Sequence, residues 1–182
     1  MEENKILPII GYGSKMLREV CIEAENTPEI KTLANDMLFT MKSIGTAVGL
    51  ASPQLNVNSR VFVMKMGNKE IVVVNPIIKK QRGIQKSHEG CLSIAGVYED
   101  VFVRNEIIDV EFYDIDFNKQ KLRLRGFDAV VFSHEIDHLN GILFTDLLTA
   151  EGKERVADKL SDITKGIYIA SHTVVFPDVL PS

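Results

Sequence analysis

Apolar residues along this chain follow two different rhythms, and the switches between them outline the fold. After Thr27, the residues Ile30, Leu33, Met37, Met41 and Ile44 recur at three- and four-residue spacing, the period of a helix that buries one face. Thr27 suits the N-cap, Pro28 the first helical position and Glu29 the first turn, and Gly45 stops the run. The pattern then changes. Arg60 to Met66 and Glu70 to Asn75 are rich in β-branched residues on either side of Gly67-Asn68, which predicts a hairpin whose second strand ends at Pro76. Glu106 to Tyr113 and Lys121 to Arg125 flank the polar stretch Asp116 to Gln120 and predict a second hairpin. From Phe127 the helical rhythm returns, with Val130, Val131, His134 and His138 on one face and Asn140-Gly141 as the stop. A third helix is expected from Thr149 to Lys165 on Val156, Leu160 and Ile163, followed by a tail with a strand-like Thr173 to Phe176.

Periodicity supports an α+β protein in one domain, residues 1–182, with a core over about 6–165 and a tail at 166–182. Length agrees, since a chain of 182 residues buries about 70% of its unfolded surface in one core. Charged residues make up 25% and apolar ones 45%, an ordinary soluble balance, with a net charge of −4. That charge argues against a broad phosphate-binding face, so no DNA partner is expected. No apolar run approaches the roughly 18 residues of a membrane span, so neither a membrane partner nor a site outside the cytoplasm is expected. Cys21 and Cys91 are the only cysteines and give no disulfide framework. Cys21 reads as a small, partly buried apolar residue.

The chemistry concentrates in His134-Glu135-Ile136-Asp137-His138. Residues four apart on a helix stand one above the other, about 5–6 Å apart at Cβ. Both imidazoles can therefore reach one ion, with Glu135 beside the open position. A catalytic zinc or iron site takes a third protein ligand, and Cys91 in Glu89-Gly90-Cys91-Leu92-Ser93 is the candidate. His88 and His172 lack partners at such spacing. The third signal is Val48-Gly49-Leu50-Ala51-Ser52-Pro53-Gln54.

These three segments, in this order, resemble the peptide deformylase family, which is recognised by a GxGLAxxQ loop, an EGCLS segment and a HExxH helix. The opening Ile6-Leu7-Pro8-Ile9-Ile10-Gly11-Tyr12-Gly13 extends the resemblance over roughly residues 6 to 148. It implies antiparallel sheets around a central HExxH metal-binding helix, with N-terminal and C-terminal helices. It also implies a bacterial-type cytoplasmic hydrolase that takes the formyl group from N-formyl-methionyl nascent chains and touches the ribosome transiently. By the same resemblance Cys91, His134 and His138 hold one divalent ion, Fe(2+) in the cell with Zn(2+) or Ni(2+) on purification. Glu135 becomes the general base, with Gln54 and the Leu92 N–H as oxyanion donors.

Gly49 and Leu50 would bring backbone alongside the substrate peptide, unless Gly49 is simply a turn residue. Phe127, Val130 and Val131 read either as the wall for the substrate methionine or as core. Glu89 and Arg104 read either as a pair bracing the Cys91 loop or as a capping Glu and a surface Arg. A HExxH metallopeptidase is the rival, weakened because such enzymes take their third ligand downstream; a non-catalytic relative is the other. Two positions depart from the family pattern, Ala47 for a glycine and Ala95 for a proline. A glycine at 47 would signal φ > 0 or a close backbone approach, so crowding of the cleft by the Ala47 methyl is one expectation. An ordinary backbone there, at φ < 0, is the other.

Overall fold

The structure, a computed structural model, describes residues 4–176. Nine strands and three α-helices form the framework of those residues. They are β1 (Ile9–Ile10), α1 (Pro28–Ser43), β2 (Gly49–Ala51), β3 (Val61–Met66), β4 (Lys69–Arg82), β5 (Gln85–Cys91) and β6 (Ile94–Arg104), then β7 (Ile107–Tyr113), β8 (Lys119–Arg125), α2 (Gly126–Leu139), α3 (Ala150–Thr164) and β9 (Val174–Val175). A five-stranded antiparallel sheet runs β2-β3-β4-β7-β8, β5 and β6 form a separate hairpin, and β1 pairs in parallel with β9.

The expected α+β architecture is present, with α2 packed on the five-stranded sheet. Phe132 and Ile136 of α2 join Phe62, Val73, Val110 and Leu124 of the sheet in one apolar cluster. Phe62 and Phe132 meet edge to face at 5.0 Å, a geometry favoured by the ring quadrupoles. Helix α1 covers a second cluster through Ala34, Met37 and Met41. Thr27 caps α1 by accepting from the Ile30 N–H, and Pro28 opens it. Two polar side chains of α1 are also buried. Asp36 and Thr40 accept from the Lys5 and Leu7 backbone N–H groups at 2.8 and 2.9 Å, which fixes the incoming chain against the helix.

Two strand expectations need correction. Pro76 does not end β4, which continues to Arg82. Proline cannot donate to the ladder, and the sheet accommodates it at a bulge: the register shifts between Val74 and Ile77, and Asn75 adopts φ 49°. The Asn75 side chain holds both the N–H and the carbonyl of Ala24, which stabilises that turn of backbone. The hairpin of β5 and β6 is an addition. Gln85-Lys86-Ser87-His88-Glu89-Gly90-Cys91 has no β-branched residue to announce a strand, and the bulk of its pairing comes from β6. The strand-like Thr173 to Phe176 becomes the short β9. The end of the expected tail, 177–182, lies outside the described residues.

Candidate metal centre and substrate cleft

Helix α2 starts at Gly126, whose φ of 54° turns the chain out of β8. It carries His134 and His138 one turn apart, their rings 5.0 Å apart edge to face. The β5–β6 hairpin brings Cys91 against them, at the bulge where its register slips between Gly90 and Cys91. Cys91 Sγ is 3.3 Å from His138 Nε2. One donor atom each from Cys91, His134 and His138 lies within 4.8 Å of the others, near enough to share one ion.

The rest of the local chemistry suits a cation. His134 Nδ1 is 2.8 Å from Glu89 Oε2; a proton on that nitrogen leaves Nε2 free to ligate, the arrangement common around metal-bound histidines. Burial opposes a charge on His134, but hydrogen bonds to Cys91 and Glu89 outweigh it and push the ring to about 10. The cluster thus holds a proton where a cation would replace it. Burial, followed by the His134 charge, keeps His138 well below its ordinary value and therefore neutral, as a ligand must be. A thiolate and two imidazoles form a donor set that iron, zinc or nickel accepts.

Behind the donors lies a buried ionic brace. Arg104, at the end of β6, donates from Nε and Nη2 to the two oxygens of Glu89 at 2.7 and 2.8 Å. Its Nη1 reaches Asp137 of α2 at 2.5 Å. Burial resists ionisation of Glu89, yet the Arg104 and His134 hydrogen bonds hold its carboxyl far below the usual range. Glu89 and Arg104 are both buried and paired with each other, so Arg104 is not a surface residue. Asp137 is a member that sequence reasoning passed over, although it stands inside the histidine motif.

Glu135 is only 4% exposed, and its Oε2 has no hydrogen-bond partner among the described residues. Burial pushes it up to about 7; a cation beside it would draw the value down again. Gly49 explains how the carboxyl fits. A Cβ at Gly49 would fall on Glu135 Oε1 and within 2.7 Å of its Cδ, so the glycine makes room for the acid. Gln54 is fixed in turn, its Oε1 accepting from the Ala51 N–H at 2.9 Å while Nε2 lies 3.4 Å from Cys91 Sγ and 3.3 Å from Ser93 Oγ.

Gly49, Gln54, Glu89, Cys91, His134 and Glu135 border one cleft of about 510 Å³, lined also by Ala47, Leu92, Ala95, Phe127, Val130 and Val131. Leu50 is buried and does not line it. Phe127 is 64% exposed at the cleft while Val130 and Val131 are largely covered. Tyr98, Ile169 and His172 line the cleft too and were not foreseen. Tyr98 lies over Gly90, whose missing Cβ would come within 2.5 Å of the ring, and no pattern in the sequence connects the two. Ala47 is not among the described non-glycine residues at positive φ and belongs to an apolar cluster, which matches the second of the two expectations, an ordinary backbone. A depression of similar volume, about 540 Å³, follows the Ser133, Ile136 and Asp137 face of α2 and contains none of the cysteine or histidine donors.

The chain is similar to known proteins over most of its length. A family model described as "Polypeptide deformylase" matches residues 6–154. The peptide deformylase of Thermus thermophilus is 38% identical over 165 residues, covering 82% of this chain and 85% of the relative. That of Cytophaga hutchinsonii is 34% identical over 182 residues, covering 94% and 98%. The crystal structure of a peptide deformylase from Thermus thermophilus superposes with a TM-score of 0.82 at 39% identity, covering 89% of this chain and 99% of that one.

Proposed function

This chain belongs to the peptide deformylase family, and on that premise we propose that Cys91, His134 and His138 hold its divalent ion while Glu135 acts as general base. The chain is a metal-dependent hydrolase that removes the N-formyl group from N-formyl-methionyl nascent peptides. The rival readings, a HExxH peptidase and a non-catalytic relative, are disfavoured by the same findings. What carries the assignment of roles is the meeting of three metal-type donors beside a cleft that Cys91, His134 and Glu135 line, with Glu135 buried and its Oε2 unpartnered among the described residues.

A bound divalent ion supplies polarisation of a carbonyl and a water whose pKa falls toward about 7. The protein supplies the rest. Glu135 Oε2 takes the proton of the attacking water and returns it to the leaving amine nitrogen, so formate and a free amino terminus result. Gln54 Nε2 and the Leu92 N–H donate to the oxygen that becomes negative; one such donor is worth about 2.7–4 kcal/mol. Arg104 and Glu89 keep the His134 ring turned. β2 is an edge strand, which supports the peptide lying along Gly49 and Leu50 as an added strand, while Phe127, Val130 and Val131 receive the methionine side chain. Iron(II) is the physiological ion in this reading, with zinc or nickel acquired on purification.

We place the reaction in the cytoplasm, where nascent chains emerge. No helix among the described residues is long and apolar enough to cross a membrane. A transient ribosome contact belongs to the same reading, through Lys153, Lys159 and Lys165 on α3 and at its end. The deciding experiment combines metal analysis of anaerobically purified protein with turnover of a formyl-Met peptide. Cys91→Ala and His138→Ala should lose the metal; either variant retaining it stoichiometrically refutes the ligand assignment. Glu135→Ala should keep the ion and lose activity by orders of magnitude, and a near wild-type rate would refute its role.

A further inference from the structure

The chain beyond residue 154 lies outside the stretch matched by the family model, yet its tail returns to the cleft and is fastened there. The Ile9 N–H donates to the Thr173 carbonyl at 3.1 Å and the Gly11 N–H to the Val175 carbonyl at 2.8 Å, as β9 pairs with β1. The Tyr168 hydroxyl donates to the Val174 carbonyl at 3.2 Å. The Phe176 ring occupies the place a Cβ on Gly11 would take. Between these fastenings, Ile169, Ala170, Ser171 and His172 line the cleft.

Two side chains of that stretch have no reason in the fold alone. Ile169 is 90% exposed, so the core gains nothing from its hydrophobicity, whereas a peptide in the cleft would cover it. His172 Nε2 lies 3.0 Å from the Leu92 carbonyl oxygen. A carbonyl only accepts, so Nε2 carries the proton, and Nδ1 is left buried without a partner among the described residues. The bond joins the tail to Leu92, the residue that follows Cys91 and whose N–H is proposed above as an oxyanion donor.

We propose that Ile169 to His172 form a working wall of the substrate cleft: His172 is a positioning residue for the Leu92 loop, and Ile169 is a specificity residue that meets the side chain after the substrate methionine. Alternate side chains of an extended peptide face different walls, and with the methionine against α2 the next side chain has the tail available to it. The inference rests on the substrate path and Leu92 role proposed above.

The test measures kcat and KM of the metal-loaded full chain on two peptides of equal length, formyl-Met-Leu and formyl-Met-Ser amides. Ile169→Ser should reduce the Leu-over-Ser preference in kcat/KM by about 10-fold, the lower end of what a lost apolar contact costs in discrimination. His172→Ala should lower kcat on both peptides by about 10-fold, with less effect on KM. His172→Gln, which keeps a donor at similar reach, should recover most of that loss. An unchanged preference in Ile169→Ser, or His172→Gln as impaired as His172→Ala, would overturn the inference while leaving the function standing. A wild-type protein that turned over neither peptide would overturn both.

Discussion

Gly49 and Glu135 constrain each other across the cleft. The acid can lie where it does because the strand opposite has no Cβ, and motif reading found Gly49 without finding this reason, since the two residues are far apart in sequence. Gly49→Ala should therefore displace the carboxyl, and a misplacement of about 1 Å at a reacting group costs on the order of 100-fold in rate. Metal content should stay unchanged; wild-type kcat in that variant would show that the acid tolerates the methyl group. Ala47 is the opposite case. Its buried methyl fills an apolar cluster, so Ala47→Gly should lower stability by roughly 1–2 kcal/mol through lost burial and a freer unfolded chain, with no gain in kcat/KM. Urea melts and steady-state kinetics check both parts.

Among the elements, the β5–β6 hairpin and α2 meet at one buried charge network, and the alignment of Cys91 with the two histidines depends on it. Arg104 is the cation that Glu89 and Asp137 share. Arg104→Met should cost about 3–5 kcal/mol, because Glu89 remains buried, and Asp137 partly buried, without that partner, and metal affinity should fall as the His134 ring loosens. A variant with the wild-type unfolding midpoint and metal content would refute this. The helices were legible in the sequence because caps and periodicity are local signals. The β5–β6 hairpin was not: β5 is polar, and the more apolar β6 pairs with it across two register shifts, so the partners are found only in three dimensions.

At the scale of the molecule, α3 is fastened to the β5–β6 hairpin by Arg155 and Glu99, 2.7 Å apart. Hydrogen bonds from Arg155 and the Asp100 N–H hold the Glu99 carboxyl down at about 2, against an ordinary 4.5. A depressed carboxyl stabilises the fold fully above its unfolded value and stops doing so as pH falls through its folded one. The stability difference between wild type and Glu99→Gln should thus be constant above about pH 4.5 and shrink to nothing toward pH 2. Urea melts at a series of pH values test this, and a gap as large at pH 2 as at pH 6 would rule it out. The metal-type donors were readable from motif spacing, while the tail's return to the cleft was not, since nothing local in Ile169 or His172 announces a partner. That return has a further consequence. Because β1 pairs with β9, the wall of the cleft cannot assemble until synthesis has passed Val175. A protein that acts on growing chains thus has a cleft that closes only once a late stretch of its own chain has returned to an early one.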